Sequence, residues 1–121
     1  AVEGQSILED TEPSRSPTSP LEALYITGHS LGGAMSALMA VMLMTDGGYS
    51  SIASKLRAVY TFGQPMIGSP ELAAACEADP DVRGRLFRYV CRQDLVPRLP
   101  PRDTGRFAHF GAEYRYDDSW P

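Results

Sequence analysis

Histidine and cysteine are scarce in this chain of 121 residues, which contains two of each. His29 and His109 lie far apart, and no cluster of histidine, cysteine and carboxylate residues has the spacing of metal ligands, so we expect neither a metal nor an organic cofactor. Cys76 and Cys91 are too few to form a disulfide scaffold. We expect two small buried thiols, with a disulfide bond between them as the alternative. The two cysteines therefore do not determine the redox compartment.

Positive charge is also in short supply, because 11 basic residues stand against 15 acidic ones and the net charge is −4. An acidic chain argues against nucleic acid as a partner. Seven of the basic residues nevertheless fall between Arg83 and Arg106. We interpret this region as a solvated rim, with weak attraction to an anionic lipid surface as the alternative. Long apolar runs are lacking as well, since the longest, from Leu31 to Met44, is too short to cross a bilayer.

The chain does contain a serine between two glycines, in the stretch Gly28-His29-Ser30-Leu31-Gly32. Leu24 to Thr27 before it has the pattern of a buried parallel strand, and the apolar run after it has the pattern of a buried helix. A sharp strand-to-helix turn needs small flanking residues and exposes its serine as a nucleophile. The pattern therefore predicts Ser30 as a nucleophile and the Leu31 backbone amide as an oxyanion donor. A serine that only caps the helix, the simpler alternative, requires neither glycine.

Strand and helix patterns alternate along the rest of the chain, which is typical of an α/β fold with a mostly parallel sheet. Leu56 to Phe62 and Leu86 to Cys91 are the next predicted strands. Between them, Ser69 is predicted to cap a helix that Asp79-Pro80 ends. Asp94 lies just beyond the third strand, and ligands of such sheets bind beyond the carboxyl ends of the strands. Asp94 is therefore the candidate acid, and it follows the nucleophile in chain order.

Four segments together resemble the class 3 lipases, the fungal-lipase-like family of triacylglycerol lipases. They are, in chain order, Tyr25 to Ala34, Tyr60 to Pro65 with Gly68, Asp94 to Pro101, and Phe110 to Tyr114. The resemblance covers about Leu21 to Tyr116 and implies a partial α/β-hydrolase fold with a nucleophile elbow. It also implies that Ser30 is the nucleophile and that Asp94 orients the catalytic base and stabilises its positive charge. Met66 stands where the family often has arginine.

No residue of this chain matches the triad histidine of the family, which lies beyond the strand that Phe110 to Tyr114 resembles. His29 is interpreted as a packed or hydrogen-bonded support rather than the base, because adjacent residues on a sharp turn point in different directions. His109 corresponds to a histidine in the approach to that strand, outside the family's triad. From the residues alone, the order Ser30, Asp94, His109 is correct for this fold. His109 is therefore kept as a substitute base, against the alternative of a histidine packed between two phenylalanines.

The resemblance implies only part of a domain. In the family, the first strands of the sheet, the second oxyanion donor and a lid precede the serine turn. Residues 1–20 are instead rich in proline, serine and acidic residues, and are predicted to be a linker or loop remnant. Residues 21–121 then form a partial lipase-like domain without those strands and without the histidine segment. The strand from Leu24 to Thr27 is expected to be left as an edge, which favours self-association.

The function that the resemblance implies is hydrolysis of a carboxylic ester, a triacylglycerol or related lipid ester, by acyl transfer through Ser30 to water. The alternative is a catalytically incomplete lipase segment that acts as a scaffold or interaction module. Met35, Met39, Met42 and Met44 are predicted to be helix core. An acyl pocket near the serine turn, lined by Met35 and Met39, is the alternative for those two.

Overall fold

Four parallel strands form one sheet in the computed structural model, which describes residues 20–101 and 105–117. The strands are β1 (Leu24–His29), β2 (Leu56–Phe62), β3 (Leu86–Cys91) and β4 (Ala112–Tyr116). The helices are α1 (Leu31–Thr45), α2 (Ser50–Ala53), α3 (Pro70–Ala78) and α4 (Pro80–Arg83), with 3-10 turns at Gly47–Tyr49 and Val96–Arg98. The strands lie side by side in chain order. The expected α/β architecture is confirmed. Residues 1–19 of the predicted linker lie outside the described residues.

The limits of β2, β3 and α3 agree with the sequence pattern, because local signals set them. The Ser69 hydroxyl accepts a hydrogen bond from the Leu72 amide at 3.1 Å, and Pro70 is the first residue of α3. Asp79 ends α3 as expected. It also begins α4, which the pattern did not predict: its carboxylate accepts a hydrogen bond from the Asp81 amide at 2.9 Å.

The core lies between one face of the sheet and the helices α1, α3 and α4. Small and branched side chains dominate it, since the helices approach the strands closely. Its buried members are Ala37, Ala40, Val41, Leu56, Val59, Ala73, Cys76, Val82, Leu86 and Phe110. The carboxyl end of β2 is tied to the turn that follows, because the buried Thr61 hydroxyl donates to Gln64 Oε1 at 2.8 Å. This turn lies beside the serine.

The opposite face of the sheet carries a band of aromatic rings, half exposed in the described part of the chain. Tyr60 stacks on Phe87 with ring centroids 5.5 Å apart, and Tyr89 stacks on Tyr114 at 5.4 Å. β1 lies at one edge of this sheet, and its side chains alternate between half-buried and exposed. The expectation of an edge strand is thus confirmed for the described residues, whereas the expectation that β1 is buried on both faces is wrong.

Helix α1 is buried on one face only, so the prediction that all its methionines belong to the core is wrong. Met35 is 64% exposed, Met39 50% and Met42 51%, whereas Met44 packs against the core. The small residues of α1 face the sheet because they allow close approach, and the larger methionines are left outside. No single helix of the described residues is long and apolar enough to cross a bilayer, although α1 together with Gly47–Ala53 reaches that length and apolarity with a bend of 94°.

Candidate active site

Ser30 lies at the junction of β1 and α1 in a backbone conformation that side-chain-bearing residues rarely adopt. Its φ is 55° and its ψ is −122°. The surrounding backbone holds this strain, because the Ser30 amide donates to the Phe62 carbonyl at 2.8 Å and the Ser30 carbonyl accepts from the Ala34 amide at 3.1 Å. The Ser30 hydroxyl does not cap α1. The alternative of a simple cap is therefore wrong, and the conformation is that of a nucleophile elbow.

Gly28 and Gly33 make the close approach of β1 and α1 possible. Of the two, only Gly28 belongs to the pair of glycines that flanks the serine. A Cβ on Gly28 would collide with the Gly32 carbonyl and would lie 2.6 Å from Ser36 Oγ. A Cβ on Gly33 would lie 3.2 Å from the side chain of Gln64. A Cβ on Gly32 would meet nothing within 4 Å. The spacing argument assigned the second steric role to Gly32, but the structure assigns it to Gly33.

This difference predicts opposite effects for two alanine substitutions four residues apart. Gly28→Ala should lower the free energy of unfolding by about 3 kcal/mol, because the methyl group meets backbone that has no room to move. Gly32→Ala should raise it by about 0.5 kcal/mol, because alanine restricts the unfolded chain and meets no neighbour. Urea unfolding of the two variants measures both values, and equal losses would contradict the assignment.

Asp94 follows β3, and one hydrogen bond holds its carboxylate while another holds its backbone. Oδ1 accepts a hydrogen bond from the Val96 amide at 2.9 Å, and the Asp94 amide donates to the Cys91 carbonyl at 3.1 Å. Oδ2 lies beside Gly63, 2.6 Å from the place where a Cβ would stand. Gly63 also has a φ of 62°, so this position excludes a side chain for two independent reasons.

His29 also lies near Gly63, and the exposure of its side chain contradicts the interpretation of His29 as a packed residue. Its Nε2 is 3.8 Å from the position of the missing Gly63 Cβ, and its side chain is exposed at the end of β1. The carboxyl ends of β1, β2 and β3 thus bring His29, Gly63 and Asp94 together at the edge of the sheet that holds Ser30. Sequence order alone did not indicate that His29 and Asp94 lie near one glycine.

His109 forms a hydrogen bond through Nε2 to the Pro97 carbonyl oxygen, 2.6 Å away. A carbonyl oxygen only accepts, so Nε2 carries the proton of this bond. Phe110 is buried and Phe107 is 38% exposed, and packing of the His109 ring between these two phenylalanines stays a prediction. His109 and Asp94 line one open cavity of about 580 Å³ beyond the end of β3.

A buried arginine supports the segment that carries His109. Arg88 on β3 is 5% exposed, and its Nε donates to the Phe110 carbonyl at 2.8 Å. Its guanidinium also lies 3.4 Å from Glu113, and burial lowers its pKa. The pKa of Glu113 is lowered as well, chiefly by a hydrogen bond from Arg115. In the sequence, this network is indicated only by Arg88, a charged residue in the middle of the apolar strand LFRYVC.

An apolar cavity of about 390 Å³ lies at the start of α1, where Leu31 lines it. Its lining residues are Leu31, Ala34, Met35, Leu38, Pro65, Met66, Ile67, Leu99 and Pro100. Met35 also lines a second apolar hollow further along α1, together with Met39 and Met42. Met35 therefore has the position that an acyl pocket near the serine turn requires, whereas Met39 lies further away.

A parallel sheet, a strained serine between strand and helix, and an aspartate beyond a later strand together define an α/β-hydrolase. A family model described as Lipase (class 3) matches residues 16–104. Because this match covers most of the chain, the chain belongs to the class 3 lipase family.

Known relatives support the same assignment over part of their length. A triacylglycerol lipase of Arabidopsis thaliana is 43% identical over 94 residues, which are 76% of this chain and 18% of the relative. Lipase II from Rhizopus niveus matches with a TM-score of 0.64 at 33% identity, over 77% of this chain and 33% of that one. A triacylglycerol lipase whose catalytic centre is described as a serine protease triad matches with a TM-score of 0.61 at 38% identity, over 77% of this chain and 33% of that one. This chain spans about a fifth of the plant relative and a third of the solved lipases.

Proposed function

We propose that the natural protein carrying this sequence hydrolyses carboxylic esters through Ser30, with triacylglycerols or related lipid esters as the substrate class. The observation that carries the proposal is the strained elbow at Ser30, whose hydroxyl does not cap the helix. A backbone strain of this kind persists where function requires it. The names of the relatives indicate the substrate class, and exposed apolar residues at Leu31, Met35 and Leu99 suit contact with a lipid surface.

The proposed chemistry is acyl transfer to water in two steps. Ser30 Oγ attacks the ester carbonyl carbon while a histidine accepts the hydroxyl proton. The carbonyl electrons move to oxygen, where the Leu31 amide donates a hydrogen bond, since the first amides of a helix have no partner within it. The ester C–O bond then breaks, and the histidine gives its proton to the leaving alcohol. Water then attacks the acyl carbon while the histidine accepts a proton from it, and the histidine returns this proton to Ser30 Oγ as the acyl–Oγ bond breaks and the carboxylic acid leaves. Asp94 holds the histidine in the correct tautomer.

We further propose that the catalytic histidine comes from outside these 121 residues. Nε2 of His109 is engaged with the Pro97 carbonyl, and His29 precedes Ser30 on β1 with its ring beside Gly63. The ring of His109 therefore has a structural role of its own, and His29 stands next to Ser30 on a sharp turn, where adjacent side chains point in different directions. A serine hydroxyl without a base is a weak nucleophile at neutral pH, so we expect this chain alone to be inactive.

Residues 1–121 produced alone are expected to show no esterase activity and to self-associate. In the described part of the chain β1 is an edge strand, which can offer backbone groups to a second copy, and the aromatic face of the sheet is half exposed. Light scattering gives the oligomeric state, and short-chain p-nitrophenyl esters report activity. A monomer whose esterase activity disappears in His109→Ala would overturn this expectation and identify His109 as the base.

The same exposed surfaces favour a second candidate function. A lipase segment without a base can act as an interaction module whose β1 edge pairs with another chain. The two candidates separate in the natural protein, because only a hydrolase reacts covalently at Ser30 with a fluorophosphonate.

A further inference from the structure

We propose that His109 is a positioning residue for Asp94, and that it acts through the Pro97 carbonyl. This inference rests on the proposed function, in which Asp94 orients the catalytic histidine. Nε2 of His109 donates to Pro97 at 2.6 Å, and Pro97 lies in the 3-10 turn Val96–Arg98. The first amide of that turn, at Val96, donates to Asp94 Oδ1 at 2.9 Å. A continuous chain of contacts thus joins the imidazole ring to the carboxylate.

The turn between Asp94 and Leu99 has internal and external supports. Inside it, the Arg98 amide donates to the Leu95 carbonyl and the Leu99 amide to the Val96 carbonyl, each at 3.0 Å. At its far end, the Leu99 carbonyl accepts from the Met66 amide at 2.8 Å. The hydrogen bond from His109 supports the middle of the turn from outside, close to Asp94. Pro97 is buried, so a lost hydrogen bond at its carbonyl is not readily replaced by water.

The backbone on either side of His109 is itself held in place. The preceding amide, of Ala108, donates to the Gly68 carbonyl at 3.0 Å, and the following carbonyl, of Phe110, accepts from Arg88 at 2.8 Å. The next amide, of Gly111, donates to Glu77 Oε1 at 2.5 Å. A donor that is fixed in this way sets the position of the turn, because a hydrogen bond positions its partner only when its own group is held.

Two substitutions of equal size separate positioning from base catalysis. In His109→Gln the side-chain amide can still donate to the Pro97 carbonyl, but it cannot accept the serine proton. In His109→Met a side chain of similar shape lacks the donor. Both variants, together with Ser30→Ala, are made in the natural full-length protein, and kcat and KM are measured on a short-chain p-nitrophenyl ester. Thermal unfolding confirms that the variants are folded.

A positioning role predicts that His109→Gln keeps most of kcat and that His109→Met loses about 100-fold in kcat with little change in KM, because a small displacement of Asp94 misaligns the base. Equal inactivity of both variants would overturn the inference in favour of a base, and equal full activity would overturn it in favour of no role. If Ser30→Ala keeps its activity, the proposed function fails and the inference fails with it. If Ser30→Ala is inactive while His109→Met is unimpaired, the inference fails alone.

Discussion

Replacement of Ser30 by alanine in the natural protein is expected to abolish ester hydrolysis, with a loss of about a millionfold in kcat. In the proposed mechanism the acyl intermediate forms on the Ser30 hydroxyl and the Leu31 amide stabilises the oxyanion, so alanine removes the nucleophile itself. The fold should remain intact, because the Ser30 hydroxyl does not cap α1 and the backbone contacts to Phe62 and Ala34 do not involve the side chain.

A fluorophosphonate probe followed by peptide mass spectrometry measures this effect directly. Labelling should occur on Ser30 and disappear in Ser30→Ala. Ser50 is a matched control, since it is an exposed serine at the start of another helix, and Ser50→Ala should leave labelling unchanged. Labelling that persists at a different serine in Ser30→Ala would show that the nucleophile has been assigned wrongly.

Asp94→Asn is expected to lower kcat by about 10⁴-fold with little change in thermal stability. Asparagine keeps an oxygen that can accept from the Val96 amide, so the turn retains its shape. It loses the negative charge that stabilises a protonated histidine and selects its tautomer. A structural role for Asp94 would instead lower the unfolding temperature together with the activity.

Asp79→Asn is the matched control for this substitution. Asp79 also accepts a hydrogen bond from the amide two residues further on, but it lies between α3 and α4. Its replacement by asparagine should leave kcat unchanged. If Asp94→Asn retains turnover close to that of Asp79→Asn, the acid of the site is a different carboxylate and Asp94 is only a loop residue.

The fold was predictable where short stretches of chain decide it. The limits of β2 and β3 agree with the apolar runs that predicted them, and Ser69 caps α3 as its spacing from Leu72 requires. The strained serine turn also follows from Gly28 and Ser30 themselves, because a positive φ and a close approach are local demands. The position of Asp94 beyond β3 follows from strand order.

The burial of α1 could not be predicted in this way. Leucine, methionine and alanine surround the helix, so its hydrophobic pattern does not distinguish the face that packs on the sheet. The structure selects the small residues, Ala37 and Ala40, because they let the helix approach the strands. For the same reason Gly33, which faces Gln64 and Thr61, has the steric role that the spacing argument assigned to Gly32.

The sequence by itself determined the α/β alternation, the elbow at Ser30 and the position of Asp94 beyond β3, because hydrogen bonds and backbone preferences within a few residues encode them. Only the tertiary structure decided what His109 and Arg88 do. Their partners, the carbonyls of Pro97 and Phe110, lie 12 and 22 residues away along the chain, and the folded sheet brings each pair together. No local pattern specifies contacts at such separations, since any exposed carbonyl of the chain offers the same acceptor.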